Sequence, residues 1–225
     1  MSRALKSLIL ACFVISITIG SVAAEQGGVS LGVNVGTLGI GGDLTIGLAP
    51  KANIRIKANG FKYKYDTTQD DISYKFDLGL LSAMSVIDLH PTGGGFRLSG
   101  GLMLNKNKID ADAQPSTTYT IGNTSYAPNE VGTMTGKLDF KTIAPYAGLG
   151  WGNGVGEDKK LGFALDVGLA FQGSPKADLV ATGGILSTDA TFLANLEQEE
   201  RNLENDVKSF KVFPVITFGL SYRFR

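Results

Sequence analysis

The side chains best suited to chemistry are few. The chain holds one histidine, His90, and one cysteine, Cys12. Covalent catalysis needs a positioned base beside a hydroxyl or thiol. Ser85 and Asp88 lie near His90, but no motif binds the three together, and His90 precedes Pro91 in a short segment that reads as a turn. One His and one Cys also fall short of a Cys/His zinc site or a disulfide framework. The glycine runs Gly36–Gly42 and Gly148–Gly156 contain neither a helix-opening G-x-G-x-x-G nor a Walker lysine, so they do not read as phosphate cradles. The expectation is a protein that is not an enzyme and carries no metal or cofactor.

Charge and composition narrow the class further. A formal net charge of +0 and a pI of about 6.6 leave no basic footprint for nucleic acid. Charged residues are only 19% of the chain, and glycine, at 30 of 225 residues, is roughly twice its ordinary usage near 7%. Low charge with abundant glycine fits neither a disordered acidic chain nor a coiled coil.

The elements show themselves through period two, the repeat of a strand with unlike faces. Near the end of the chain, Phe210, Val212, Ile216, Phe218, Leu220, Tyr222 and Phe224 share one face, opposite Lys211, Phe213, Val215, Thr217, Gly219, Ser221 and Arg223. Leu161, Phe163, Leu165, Val167, Leu169 and Phe171 stand opposite Gly162, Ala164, Asp166, Gly168, Ala170 and Gln172. Leu98, Leu102 and Leu104 oppose Arg97, Ser99 and Met103; Ile54 and Ile56 oppose Arg55 and Lys57; Tyr74, Phe76 and Leu78 oppose Lys75 and Asp77. Connections alternate in length: 49–52, 90–95 and 152–160 are short, while 111–136 and 177–208 are long.

Residues 1–24 read as a secretory signal, with Arg3 and Lys6 ahead of the apolar run Leu8 to Gly20 and small residues at Val22, Ala23 and Ala24. That run is too short to cross a bilayer, which takes roughly 20 residues. A signal followed by long alternating strands, with short turns at one end and long loops at the other, describes a bacterial outer-membrane barrel. The fold expected is all-β: an eight-stranded antiparallel transmembrane β-barrel over 25–225, both termini periplasmic, with one short amphipathic helix in a long outer loop. The eighth strand comes from 29–48, where the apolar residues change from odd to even at Gly36-Thr37-Leu38-Gly39. A tight hairpin there yields an even count; one long strand with a bulge is the alternative. Aromatic residues at strand ends, such as Trp151, Tyr222 and Phe224, suit an interfacial girdle, and stacking on a ligand is a second role open to Tyr119 and Tyr126.

Within such a barrel the inward charges matter most. Arg55, Arg97 and Arg223, with Asp77, Asp139 and Asp166, fall on the small or polar faces. Eight strands leave an interior just filled by side chains. A buried unpaired ion costs several kcal/mol, so arginine–carboxylate forks crossing the lumen are expected, forming core and gate together. Separate hydrated pockets near the rims are the alternative. In 189–208, Leu193, Leu196, Leu203 and Val207 take helical spacing, with Glu197, Glu199, Glu200, Glu204 and Asp206 among them. That helix is either a lid over the mouth or a structural helix with a solvated acidic face. The segments expected outside hold thirteen acids against Arg201 and Lys208, a net of −11, and an acidic mouth gathers cations.

The chain resembles the small barrels typified by the carbapenem-susceptibility-associated, ornithine-uptake outer-membrane protein. The resemblance is carried by Val35-Gly36-Thr37-Leu38-Gly39-Ile40-Gly41-Gly42, by Ala144-Pro145-Tyr146-Ala147-Gly148-Leu149-Gly150, and by Gln172-Gly173-Ser174-Pro175 ahead of the acidic helix. It implies passive uptake of small, cationic amino-acid-like solutes, although no short motif marks a solute site. A non-conducting structural or surface-interaction barrel is the other class. Expected partners are outer-membrane lipid and lipopolysaccharide, a small solute, and the barrel-insertion machinery. The last reads terminal aromatics such as Tyr222 and Phe224, although such signals usually stop at Phe and here Arg225 follows.

Overall fold

Period-two alternation closes into a ring. The computed structural model describes residues 28–69, 72–115, 117–155 and 160–224. The expected signal and its cleavage site lie outside them. In chain order the elements are β1 (Val29–Gly36), β2 (Gly39–Ala49), β3 (Ala52–Gln69), β4 (Ile72–Leu89), β5 (Phe96–Asn105) and β6 (Lys108–Pro115). Next come β7 (Tyr119–Ile121), β8 (Thr124–Tyr126), α1 (Pro128–Val131), β9 (Gly132–Asp139) and β10 (Ile143–Trp151). The last are β11 (Leu161–Phe171), β12 (Lys176–Gly183), α2 (Ala190–Val207) and β13 (Val212–Arg223). Eight strands form an antiparallel ring in the order β4-β3-β2-β1-β13-β11-β10-β5, closed by pairing of β5 with β4. Closure leaves no sheet edge exposed around the ring, which is what a lipid environment demands.

The phase change near residue 37 is the hairpin. Gly36 pairs with Gly39 across a tip of Thr37 and Leu38, and Gly39 takes φ +94°, a left-handed conformation that favours glycine. Leu31, Val33, Val35 and Ile40 of this hairpin are exposed, as are Leu98, Leu102, Phe163, Val167, Phe218 and Leu220 around the ring. A continuous apolar exterior around a closed ring identifies a membrane-spanning barrel. The short connections 49–52 and 90–95, the end of β10 at Trp151 and the start of β11 at Leu161 share one rim with both ends of the described chain, here called the near rim.

At the far rim the expected loops are largely structured. β3 and β4 each run 18 residues, against 9–11 for a membrane crossing. Beyond Gly79, β4 parts from β5 and pairs with β6, which continues into β9 and β12. The result is a five-stranded blade rising from one side of the barrel.

Polarity inverts where the blade begins. In the ring, Asn53, Arg55, Lys57 and Asn59 of β3 point inward and are buried, while Ile54 and Ile56 face outward. The β3–β4 register runs from Ala52–Leu89 to Gln69–Ile72 without a shift, so the same inward face continues as Phe61, Tyr63 and Tyr65. The outward face becomes Lys62, Lys64 and Asp66. On β4 the inward series Asp88, Val86, Met84 and Ser82 continues as Leu80, Leu78 and Phe76, and the outward series becomes Gly79, Asp77 and Lys75. The alternation of residues 72–80 was expected to place its apolar side in lipid. The structure reverses that, because these residues stand beyond the membrane, where water rewards an outward charge.

The inward side of the blade carries a second core. Ile121, Tyr126, Val131, Met134, Ala181, Phe192 and Leu196 bury together. Tyr126 meets Phe192 edge-on at 5.1 Å and its hydroxyl bonds Asn195 Nδ2 at 2.6 Å, so its ring is structural rather than open for stacking. Tyr119 is half-buried beside this core, and burial pushes its phenol upward from its ordinary pKa.

Candidate functional site: the filled lumen

Two tiers fill the barrel. The far tier is apolar: Leu38, Met84, Val86, Met103, Ala144, Tyr146, Ala170 and Val215, with Phe213 against them. Leu38 reaches it because the hairpin tip is tied to β13. Thr37 N–H donates to Ile216 O at 3.0 Å, its hydroxyl donates to Pro214 O at 2.8 Å, and that hydroxyl accepts from Ile216 N–H at 3.0 Å. The tip therefore bends over the mouth and buries Leu38 to 0% exposure. Tyr146 lies across Gly148 and Gly168, where a methyl group would meet its ring at 2.9 and 2.7 Å. The glycine run around 148 makes room for that ring and, at Gly150, for the Arg97 guanidinium.

The near tier is ionic. Arg55 on β3 donates through Nη1 and Nη2 to Asp166 on β11 at 2.8 and 3.0 Å, a two-pronged fork across the barrel. Its Nη2 also donates to Asp88 at 3.0 Å, while Nε stands 2.9 Å from the same carboxylate without hydrogen-bond alignment. Arg97 Nη2 reaches Asp166 at 2.6 Å, and its Nη1 donates to Gly152 O. Lys57 donates to Asp166 at 3.1 Å and to Thr217 Oγ1 at 3.1 Å, and the Thr217 hydroxyl donates to Asp166 at 3.0 Å. Ser99 donates to Asp88. With Asp43 nearby, three cations face three carboxylates. A cavity of about 20 Å³ remains beside Asn53, Arg55, Asp88, His90 and Arg97, room for about one water.

The structure brings together Arg55, Arg97 and Asp166 of the expected network and adds Lys57 and Asp88. Asp77 and Asp139 are not in the lumen. Asp77 lies on the outward face of the blade, 3.2 Å from Lys64, and Asp139 lies on β9, in register with Lys108 and Lys176. Both were misplaced because alternation gives a face without saying which side of the membrane boundary it occupies. Arg223 keeps the inward parity but lies six residues from Thr217 on β13, roughly 20 Å toward the near rim. Asp88, noted in the sequence only for its closeness to Ser85 and His90, joins the network because the faces of β4 exchange polarity along its length; the adjacent pair Leu80-Leu81 marks the inversion.

His90 is buried at 1% exposure and holds the near-rim turn. Its Nδ1 faces Gly94 O at 2.9 Å, a pure acceptor, so Nδ1 carries the proton and Nε2 accepts from Asn53 Nδ2 at 3.1 Å. Ser85 projects to the opposite, exposed face of β4, so the trio from the sequence is not assembled.

The acidic helix is a buttress for the blade. Glu200 accepts from Leu179 N–H at 2.7 Å and Glu204 from Ala177 N–H at 3.2 Å, which satisfies the outer edge of β12. Glu199 accepts from Gly122 N–H at 3.2 Å. Glu197 pairs loosely with Arg201 at 3.7 Å, and Asp206 is exposed. The helix packs chiefly on β12 and β7, so the lid over the lumen is Leu38, and the helix contributes none of the buried far-tier residues.

The expected acidic mouth is also revised. The outward face of the blade forms three register rows. Nearest the ring are Lys62, Lys108, Asp139 and Lys176. The next holds Lys64, Asp77, Asp110, Lys137 and Asp178, and the third Asp66, Lys75 and Asp112. The rows carry +2, −1 and −1, so Asp66, Asp110, Asp112 and Asp178, four of the thirteen acids counted toward the mouth, share their face with lysines. Lys108 donates to Asp110 at 2.6 Å, which raises its pKa.

No family model and no curated protein matches the chain. Among solved structures it is similar to CarO2 of Acinetobacter baumannii, at 22% identity and TM-score 0.58, covering 89% of this chain and 100% of that one. CarO of the same organism matches at 21% identity and TM-score 0.55, over 87% and 97% of the two chains. At these identities the likeness establishes a shared fold.

Proposed function

On the premise of a CarO-like outer-membrane barrel, we propose that this chain is closed in its resting state and holds the blade at the cell surface. The near rim faces the periplasm and the far rim faces outward, consistent with short periplasmic turns and long outer segments in such barrels. The observation that carries this reading is the two-tier lumen, whose ionic half retains a cavity of about 20 Å³ and whose apolar half is capped by Leu38. An interior of this kind is the core of the fold, and its glycines accept large side chains where a pore would need space.

Liposome swelling with ornithine, lysine, glutamate and sucrose tests it. The closed reading expects no swelling with any of the four; swelling with ornithine or lysine would overturn it. Passive uptake of small cationic solutes is the second reading. Asp43 and Asp88, which line the cavity, and Asp166, which holds Lys57 and Arg55, favour it, since they would stabilise a cation that displaced one of those side chains. That route also requires Leu38 to lift from the mouth.

A further inference from the structure

We propose that a belt of lysines at the far rim binds the phosphate groups of phosphorylated glycolipid in the outer leaflet. The polarity inversion locates the membrane boundary: outward residues are apolar up to Leu81, which pairs with Gly60, and charged from Lys62 onward. At that level the lysines recur around the ring. Lys106 follows Leu104 of β5 by two residues, Lys141 precedes Ile143 of β10 by two, and Lys211 directly precedes Val212 of β13. Lys62 and Lys108 align through Gly79, and Lys176 aligns with Lys108 through Asp139. All six are exposed.

The belt is joined by backbone as well as by level. Asn105 N–H donates to Thr142 O at 2.7 Å, tying Lys106 to Lys141, and Gly173 N–H donates to Lys211 O at 3.0 Å beneath the Lys141 side chain. Only Asp139 interrupts the row, and Asp110, one row away, engages Lys108. The charge gradient has a physical reading. Solubility alone would require no change of net charge from row to row. Here the positive excess is confined to the row nearest the lipid, and the rows farther out are slightly negative. Lysine is a compact point charge suited to phosphate, and basic residues just outside a bilayer are drawn to anionic headgroups.

The proposal rests on the orientation given above, not on a closed lumen. Its test is native mass spectrometry of the full barrel released from micelles containing bisphosphorylated or dephosphorylated lipid A. Wild type should retain the bisphosphorylated form at least tenfold over the other. Lys106→Gln/Lys141→Gln/Lys211→Gln and Lys62→Gln/Lys108→Gln/Lys176→Gln should each reduce that preference severalfold. Lys51→Gln/Lys160→Gln, at the near rim, should leave it unchanged and controls for general charge loss. Equal retention of both lipids by wild type, or full preference in folded belt variants, would overturn the belt. A Thr120→Cys variant separates the orientation: labelling by an impermeant maleimide on intact cells supports a far rim outside. Absence of labelling in an inserted barrel would overturn the leaflet assigned here, even if the lipid A preference held.

Discussion

Arg55 and Asp166 meet across the full width of the barrel. Their strands, β3 and β11, are four steps apart around an eight-strand ring in either direction, and two parallel hydrogen bonds of 2.8 and 3.0 Å join them. No pairing between neighbouring strands depends on this contact, so it works as a strut between opposite walls. Asp166 also serves Arg97, Lys57 and Thr217, which makes it the hub of the near tier.

Removing the hub should therefore cost more than removing any spoke. Asp166→Ala leaves three buried cations short of a partner, and breaking a buried pair from one side costs about 3–5 kcal/mol. The double change Arg55→Leu/Asp166→Leu removes both ends of the fork and should recover part of that loss. Urea unfolding in detergent, followed by tryptophan emission from Trp151, measures both; a double variant no more stable than Asp166→Ala would contradict the strut.

The apolar tier should control permeability. Tyr146→Ala and Leu38→Ala remove, respectively, the ring spanning the far half and the cap above it. Planar-bilayer conductance should stay at baseline in wild type and in either single variant. It should rise in a triple variant that adds Asp166→Asn to both, because both tiers must open. Conductance in wild type would sink the two-tier closure.

Gly148 is a steric prediction. A methyl there would come within 2.9 Å of Tyr146 Cζ and closer still to its hydroxyl. Gly148→Ala should destabilise the barrel by about 1–3 kcal/mol through overpacking. Adding Tyr146→Phe, which removes the nearest atom, should recover much of it in the same unfolding assay.

The lipid face has its own test. Phe163, Val167 and Phe218 are about half exposed on the outer wall of adjacent strands. Arginine at any of them should cost about 2–4 kcal/mol if placed at the bilayer midplane. Normal heat-stable migration of the triple arginine variant in cold SDS gels would reverse the assignment of the two faces.

Glu200 and Glu204 should protect an edge. Replacing both with Ala leaves the amides of Ala177 and Leu179 without their carboxylate acceptors. Hydrogen exchange at those two amides should accelerate by at least tenfold while the ring amides stay protected. Unchanged exchange would mean that the helix shields the edge of β12 by packing alone.

Much was legible from residue order because a barrel writes its fold in period two. The eight ring strands, the hairpin at Thr37-Leu38, the short near-rim turns and the inward positions of Arg55, Arg97 and Asp166 all follow from which side chains can face lipid. Alternation, however, is local and symmetric: it separates two faces without saying where the membrane ends. Alternation therefore assigns Asp77 and Asp139 to a lumen they do not enter, and it leaves Asp88 out of the charge network although Asp88 faces Arg55. Only the tertiary structure decides that β3 and β4 outrun the bilayer, that β6, β9 and β12 extend β4 into a blade, and that Leu38 folds into the mouth. Those outcomes depend on pairings between residues tens of positions apart, whose register is set by closure of the ring rather than by any segment alone.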